Sequence, residues 1–307
     1  MADVQAASEH TGGNPTVPLV PRRFDRVARL LGSRGLVTLA GSHVAVFGLG
    51  GVGSYAVEGL ARSGVGRLTL VDFDAVCITN VNRQLHAFPA TVGRAKSELM
   101  AERVRAIDAH IVVESFHEFY EESTSERLLA GRPDIVIDAI DNVTAKIHLL
   151  ATCVRRGIPV ISSLGAAAKL DPTRVRVVPL ADTAMDPLAR VVRKYLRRRH
   201  EIECADVDGL YAVYSDEEPA LADPDYRTSL CGVECACPGG PHRRHSCEHR
   251  HVVHGSLVFV TAAFGMAAAA AAVKLLTGRG LSLIPATPGL RRRRRPPPAA
   301  APGSLPP

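Results

Sequence analysis

The sequence begins without a secretory signal, because its first residues, MADVQAASEHTGGNP, contain no basic start followed by an apolar run. They also make a poor mitochondrial presequence, since acidic residues come early and the first arginine comes only at Arg22. The seven cysteines do not form two CxxC pairs, which excludes a zinc site of that type. We expect an intracellular, reduced protein whose cysteines are thiols or metal ligands.

Most of the chain also lacks net charge and internal repetition. The formal net charge is +6, and the arginine run 291–295 contributes five of these charges, so the rest of the chain carries only +1. The basic character is therefore mainly a property of the tail and says little about the whole surface. With 307 residues and 46% hydrophobic content, the chain suffices for one large domain or two small ones.

Strand-like and helix-like segments alternate through the first half of the chain. Buried strands are indicated at HVAVFGL, RLTLVDFD, IVVESFHEF, DIVIDAI and IPVISSLG, and helices at RRFDRVARLLG, VGSYAVEGLARSG, GRAKSELMAERVRAID and NVTAKIHLLATCVRRG. This order predicts an α/β fold with a doubly wound, mostly parallel Rossmann-like sheet. The first helix, beginning at Arg22, is expected to stop at Gly32.

After Ala166 the pattern becomes irregular, which predicts a smaller C-terminal extension. Two short strands, VRVVPLA and YAVYS, flank a basic helix, and a Cys/His-rich stretch reads as a long loop. The last residues are rich in arginine and proline and are expected to be disordered. We therefore predict a disordered tail at 1–20, a nucleotide-binding domain at 21–166, the extension at 167–280 and a second disordered tail at 281–307.

The apolar segment 252–276 is long enough to be tested as a membrane span. Much of it is alanine, which is only weakly hydrophobic, so a buried helix of the α/β domain is the favoured interpretation. A membrane span is the alternative, and it leaves both the cytoplasm and the outer membrane of an organelle open as locations.

The glycine loop GLGGVG, with Gly48, Gly50, Gly51 and Gly53, lies between the first predicted strand and a helix. Glycine permits the tight turn and lets backbone N–H groups approach phosphate oxygens at the helix N-terminus. Asp72 ends the following strand, where its carboxylate can accept hydrogen bonds from ribose hydroxyls. The pattern predicts nucleotide binding but does not by itself distinguish NAD from ATP.

The residues that follow the second strand favour ATP. Arg83 and Lys96 come next in the chain, and Asp141 follows a buried strand, at the edge where an open α/β sheet places its ligand. Two cations beside one carboxylate suit a triphosphate with Mg²⁺ held by the acid, which hydride transfer does not need. The alternatives are that the cations lie on the surface and that Asp141 caps the next helix.

These motifs resemble the adenylating domain of the ubiquitin-activating-enzyme-like (ThiF/MoeB-type) superfamily. The likeness rests on GLGGVGS, VDFDAVCITNVNRQ, GRAKSELMAERV and IDAIDN, from about residue 22 to 166. Within the superfamily the chain is most similar to the tRNA threonylcarbamoyladenosine dehydratases. RRFDRVARLLG, VCITNVNRQLHA, KLDPTRVRVVPLADTAMDPLARVVRKYLRR, YAVYSDEEP and GSLVFVTAAFG extend that likeness to roughly residue 278.

The resemblance implies an ATP-dependent enzyme that adenylates the carboxylate of threonylcarbamoyladenosine in a tRNA anticodon loop and closes it into a ring with loss of water. It implies that Asp72 binds ribose and that Asp141 serves adenylation, through magnesium. It further implies a homodimer in which Arg26 reaches the partner's nucleotide. The residues implied to contact phosphates are Asn80, Arg83, Gln84 and Lys96.

A basic segment within the extension, RVVRKYLRRR, is a candidate tRNA surface, because clustered cations neutralise phosphates without reading sequence. A solvated helix face is the alternative, and the run 291–295 can add non-specific affinity for RNA or acidic lipid. The six cations of the segment are Arg190, Arg193, Lys194, Arg197, Arg198 and Arg199.

The Cys/His-rich stretch suggests a metal by its density of ligands, but its spacing, C-x3-C-x-C-x9-C, is not that of a typical zinc site. A variable surface loop is the alternative, and a reactive thiol at Cys231 for sulfur or thioester exchange is a third. Cys77 and Cys153 lie in core-like contexts. The four cysteines of the stretch are Cys231, Cys235, Cys237 and Cys247.

Two other functions remain open from the sequence. The first is an activating enzyme for a ubiquitin-like or sulfur-carrier protein, which would share the adenylation chemistry and act on a protein C-terminus. The second is a membrane-attached nucleotide-binding adaptor without chemistry of its own, suggested by the apolar segment and the basic tail.

Overall fold

The computed structural model describes residues 21–220 and 255–281, which form seven strands and seven α-helices. The strands are β1 His43–Phe47, β2 Arg67–Val71, β3 Val112–Phe116, β4 Ile135–Asp138, β5 Val160–Ser163, β6 Val175–Pro179 and β7 Leu210–Ser215. The helices are α1 Asp25–Ala40, α2 Gly53–Ser63, α3 Lys96–Ile107, α4 Glu122–Leu128, α5 Val143–Arg155, α6 Pro187–His200 and α7 Val258–Leu276.

The strands form one sheet in the order β3-β2-β1-β4-β5-β7-β6, and all neighbours are parallel except β6 and β7. This confirms the predicted doubly wound, mostly parallel α/β fold. The region after residue 166 does more than extend the domain irregularly. Its strand β7 pairs with β5 in the register Val160↔Leu210, so the sheet continues through it.

Apolar side chains on both faces of the sheet hold the helices in place. Strands β1, β4 and β5 are buried along their whole length, as expected where helices cover both faces of a parallel sheet. Helices α2, α3 and α7 pack on one face, with Leu60 and Phe264 in the core. Helices α5 and α6 pack on the other, with Leu150 and Leu196.

The first helix is broken at Gly32, where the sequence predicts its end, but a second helical stretch follows. A 3₁₀ turn, Arg22–Phe24, precedes α1, which continues to Ala40. Gly32 interrupts the helix with φ +76°, a left-handed value that glycine adopts readily. The glycine therefore ends the first helical stretch as predicted. The chain resumes a helix after it, because Leu36 and Leu39 in the second stretch have a core to bury against. Helix α4 was not predicted from the sequence.

Helix α7 is the one helix in residues 21–220 and 255–281 that is long and apolar enough to cross a membrane, judged by length and composition alone. It packs against α2 at backbone distance, since a Cβ at Gly265 would lie 2.3 Å from the Val52 carbonyl oxygen. A Cβ at Gly59 of α2 would lie 2.8 Å from the Ala269 Cβ. Such close packing favours the interpretation of α7 as a core helix.

Candidate active site

The glycine loop joins β1 to α2 at the carboxyl edge of the sheet, and two of its glycines are required sterically. Gly48 has φ +86°, and a Cβ there would lie 2.5 Å from the Ala139 carbonyl oxygen. A Cβ at Gly53 would lie only 1.8 Å from the Gly48 carbonyl oxygen. The loop therefore folds back tightly on itself, and α2 begins directly after it, so the loop lies at a helix N-terminus, which favours anions. Within the first turn, the Ser54 N–H is bonded to the Gly50 carbonyl oxygen at 3.1 Å.

Asp72, directly after β2, is buried and fastens this loop. Its Oδ2 accepts a hydrogen bond from the Leu49 N–H at 2.6 Å, and its Oδ1 accepts one from the Asp74 N–H at 2.8 Å. A carboxylate has about four acceptor positions, so both oxygens can still accept hydrogen bonds from ligand hydroxyls. The acid thus lies beside the loop, as the sequence predicts.

Lys96, the first residue of α3, is a buried cation among carboxylates. Only 5% of it is exposed, and its Nζ lies 2.7 Å from Asp74 Oδ2. Burial alone would lower the pKa of Lys96, but the negative charges of Asp72, Asp74 and Asp141 outweigh it and raise the pKa. The ammonium therefore keeps its proton at neutral pH. The alternative interpretation of Lys96 as a surface cation is wrong.

The segment after β2 brings two amide side chains and an arginine to the glycine loop. Asn80 is buried and accepts a hydrogen bond from the Cys77 N–H at 3.0 Å. Gln84 is also buried, and its Oε1 has no hydrogen-bond partner among the described residues. Its Nε2 lies 3.8 Å from where a Cβ of Gly50 would be, and the Arg83 Cγ lies 3.3 Å from that of Gly51.

Asp141 lies in the exposed loop between β4 and α5. The cap of α5 is Asn142, whose side chain accepts a hydrogen bond from the Ala145 N–H at 2.9 Å. The alternative in which Asp141 serves as the helix cap is therefore wrong. The negative charge of Asp141 contributes to the raised pKa of Lys96. The carboxylate and the ammonium are therefore close enough to interact electrostatically.

A buried ionic network lies directly beneath the loop between β4 and α5. It was not predicted from the sequence. Lys146 Nζ donates to Asp138 Oδ2 at 2.6 Å and to the Ser163 carbonyl oxygen at 2.9 Å, and Ser162 Oγ donates to the same Asp138 oxygen at 2.6 Å. Asp138 Oδ1 accepts the Ile140 N–H at 3.1 Å, next to Asp141. A charged residue ending an otherwise apolar strand was the one available signal.

His86 is a second buried group that the sequence analysis did not single out. Neither ring nitrogen has a hydrogen-bond partner among the described residues, and 4% of the residue is exposed. Burial, together with the positive charges of Lys96 and Arg103, lowers the pKa of His86 to about 4. The imidazole is therefore neutral near pH 7.

This pKa predicts a loss of stability in acid. The pKa of a histidine in an unfolded chain is about 6.5. Between about pH 6.5 and about pH 4, the unfolded chain therefore binds a proton at His86 that the folded chain does not bind. The contribution is full above about pH 6.5, and about 3 kcal/mol is lost as the pH falls to about 4. We expect urea unfolding at these two pH values to give a smaller difference in unfolding free energy for His86→Leu than for the wild-type protein. The exposed His117→Leu is expected to behave as wild type, and equal pH dependence in all three proteins would contradict the assignment.

Arg26 is not brought to this site within one protomer. It is exposed on α1, which packs beside the opposite end of α2 from the glycine loop. That position follows from Phe24, whose ring lies 3.6 Å from where a Cβ of Gly64 would be, just past the end of α2. The contact of Arg26 with the nucleotide of a second protomer therefore stays a prediction.

Five of the six cations of the basic segment are exposed on α6. Arg193 differs, because its half-buried guanidinium donates to the Thr183 hydroxyl and to the Thr183 and Leu180 carbonyl oxygens. Burial lowers the pKa of Arg193. This side chain ties α6 to the turn before it, whereas the other five cations of the segment are exposed.

Cys153 is fully buried and burial raises the pKa of its thiol to about 12, whereas Cys77 is half-buried and accepts a hydrogen bond from the Thr79 hydroxyl. The cysteines of the Cys/His-rich stretch lie outside the described residues. Within residues 21–220 and 255–281, no three histidine, cysteine, aspartate or glutamate side chains group together as metal ligands would.

Comparison with known proteins identifies relatives along most of the chain. Residues 24–291 match the ThiF family. The tRNA threonylcarbamoyladenosine dehydratase of Bacillus subtilis is 47% identical over 68% of this chain and 80% of its own length, and that of Escherichia coli is 38% identical over 84% and 94%. The E. coli enzyme in complex with ATP superposes with a TM-score of 0.71 at 36% identity, covering 84% of this chain and 94% of that one.

Proposed function

The chain belongs to the ThiF family, and on that premise we propose that it is an ATP-dependent tRNA threonylcarbamoyladenosine dehydratase. One observation carries the nucleotide part of this proposal: the buried, protonated Lys96 beside the glycine loop, where a nicotinamide dinucleotide would need no such cation. The likeness to the E. coli dehydratase over 94% of that enzyme carries the tRNA part.

Each side chain at the loop has a definable task in this reaction. Asp72 would accept the ribose hydroxyls, while the N–H groups of the glycine loop and the first turn of α2 would hold phosphate oxygens. Lys96, Arg83, Asn80 and Gln84 would contact the phosphates, with the two cations offsetting the charge that develops as pyrophosphate departs. The unpartnered Gln84 Oε1 is a polar atom that a bound ligand or water would satisfy.

Asp141 would hold Mg²⁺. Magnesium commonly uses one or two carboxylates and completes its coordination with substrate phosphates and water, so an exposed acid beside the phosphate site fits it without a larger cluster of protein ligands. The ion would supply positive charge against the phosphates. Lys96, already paired with Asp74, would keep its own charge directed at the same region.

The chemistry makes a poor electrophile reactive. A carboxylate oxygen of threonylcarbamoyladenosine attacks the α-phosphorus of ATP, the bond to pyrophosphate breaks, and an acyl adenylate forms. A nucleophilic atom of the same modification then attacks the acyl carbon, AMP leaves, and the base has lost one water. Because ring closure is intramolecular, the protein needs to supply positioning and charge stabilisation, and no protein nucleophile is required.

We further propose that the protein acts inside the cell as a homodimer in which Arg26 reaches the partner's nucleotide. The position of Arg26 on α1, remote from the glycine loop of its own chain, supports a contact made across a dimer. The exposed cations of α6 would contact the tRNA backbone.

The test is a mass measurement on purified protein incubated with ATP, magnesium and tRNA carrying threonylcarbamoyladenosine. We expect the digested tRNA to contain a nucleoside lighter by one water, with AMP and pyrophosphate formed in equal amounts. Asp141→Ala is expected to abolish this product, whereas Asp206→Ala, at an exposed acid far from the loop, is expected to retain it. An unchanged nucleoside mass from ATP-binding protein would instead favour activation of a ubiquitin-like or sulfur-carrier protein.

A further inference from the structure

Four of the five exposed cations of α6 form a single stripe along the helix, and the fifth, Arg199, lies outside it. The stripe begins at Arg190 and continues with Lys194, Arg197 and Arg198, which lie four, seven and eight residues further along the helix. These spacings place the four side chains on one face. Ala189, Val192 and Leu196 turn the opposite face into the core. The helix contains no acidic residue to offset the stripe.

The stripe differs from several other surface arginines in that it lacks acidic partners among the described residues. None of its four cations has a carboxylate ion pair in the part of the chain that the structure describes. In contrast, Arg29, Arg94 and Arg127 each pair with an acid on their own surface. An uncompensated row of positive charge creates a local potential that attracts polyanions.

The direction of α6 relates this row to the active site. Its N-cap, Asp186, accepts a hydrogen bond at 3.1 Å from the N–H of Gly165, just past β5 at the carboxyl edge of the sheet. At the other end, His200 lies 3.3 Å from the guanidinium of Arg155, the last residue of α5. The row therefore starts at the edge that carries the nucleotide loop and runs away from it for about 20 Å, at about 1.5 Å per residue.

We propose that this stripe, continued by the exposed Arg155, binds the phosphate backbone of the double-stranded stem that leads away from the anticodon loop. The inference rests on the proposed function, because it assumes that the modified base is held at the carboxyl edge. In this arrangement Arg190 lies nearest the anticodon loop of the tRNA, and the stem runs along Arg197, Arg198 and Arg155.

The aromatic side chain on this helix favours a duplex over a single strand. Proteins that hold single strands offer exposed aromatic rings on which bases stack. Tyr195 does not, since it is half-buried, the Arg199 guanidinium lies 4.4 Å from its ring centroid and the Lys194 ammonium 5.5 Å. A linear row of cations without a free ring matches an A-form helix, which proteins contact through phosphates and shape.

The experiment measures the binding of three RNAs to the wild-type protein and to two double variants that have the same net charge as each other. The RNAs are a loop oligonucleotide without its stem, the stem–loop and full-length tRNA, with binding followed by fluorescence anisotropy at several salt concentrations. The test variant is Arg197→Ala with Arg198→Ala, and the control is Arg105→Ala with Arg132→Ala, two exposed arginines outside α6. Dehydration of modified tRNA is measured in parallel.

For the test variant we expect about 10-fold weaker binding of the stem–loop and the tRNA, a salt slope lower by about two, and unchanged binding of the loop oligonucleotide. In dehydration its KM for tRNA should rise while kcat stays the same. Equal loss on the loop oligonucleotide, or no loss on any RNA, would overturn the proposed stem surface. If wild-type protein gives no dehydrated product but the binding pattern holds, the proposed function fails and the surface stands.

Discussion

Lys96→Met is expected to lower kcat/KM for adenylation by about 100- to 1,000-fold, the loss typical when one pre-positioned group that stabilises transition-state charge is removed. Lys96 is held by Asp74 and is kept protonated by three acidic neighbours, so in the proposed reaction it would meet the phosphates without reorganising. Methionine keeps much of the side-chain volume and removes the charge. The measurement is AMP formation with saturating modified tRNA and varied ATP.

Two controls separate this effect from unfolding. Lys96→Arg keeps a cation at the site and is expected to retain part of the activity, whereas Lys274→Met removes an exposed ammonium on α7 and is expected to behave as wild type. Thermal unfolding of each protein shows whether the fold survives. A folded Lys96→Met protein that forms AMP at the wild-type rate would remove Lys96 from the site.

The parts of the site that the sequence predicts are those encoded by local pattern. The glycine loop, Asp72 and Lys96 lie within or beside short segments whose strand or helix character is visible in the spacing of apolar residues. Parallel strands then bring their carboxyl ends together whatever the connecting chain does, so these residues meet as a consequence of fold class.

The parts that the sequence does not predict depend on contacts between distant segments. Insertion of β7 between β5 and β6 is a choice of pairing partner, and nothing in YAVYS specifies it. Arg193 is one of six similar cations in sequence, and only its contacts with Thr183 and Leu180 show that it is structural. The burial of His86 likewise arises from packing outside its own segment.

The ionic network beneath the loop leads to the largest expected effect on stability. Lys146→Met should lower the free energy of unfolding by about 3–5 kcal/mol, because it leaves the Asp138 carboxylate buried without its cation. Lys146 and Asp138 are almost completely inaccessible, at 1% and 0% side-chain exposure, so water cannot replace the lost partner. Urea unfolding at neutral pH measures the loss.

A second variant tests whether the unpaired charge is the cause. Lys146→Met combined with Asp138→Asn removes both charges. The amide oxygen can still accept the Ile140 N–H, and the amide nitrogen can donate to the Ser162 hydroxyl, which then acts as an acceptor, so the double variant should recover much of the lost stability. Arg29→Met, which breaks an exposed ion pair with Asp25, serves as the surface control and is expected to leave stability unchanged. A double variant as unstable as the single one would mean that lost packing of the lysine, and not the charge, destabilises the protein. Because Asp138 also holds the backbone next to Asp141, the recovered double variant should regain adenylation together with its fold.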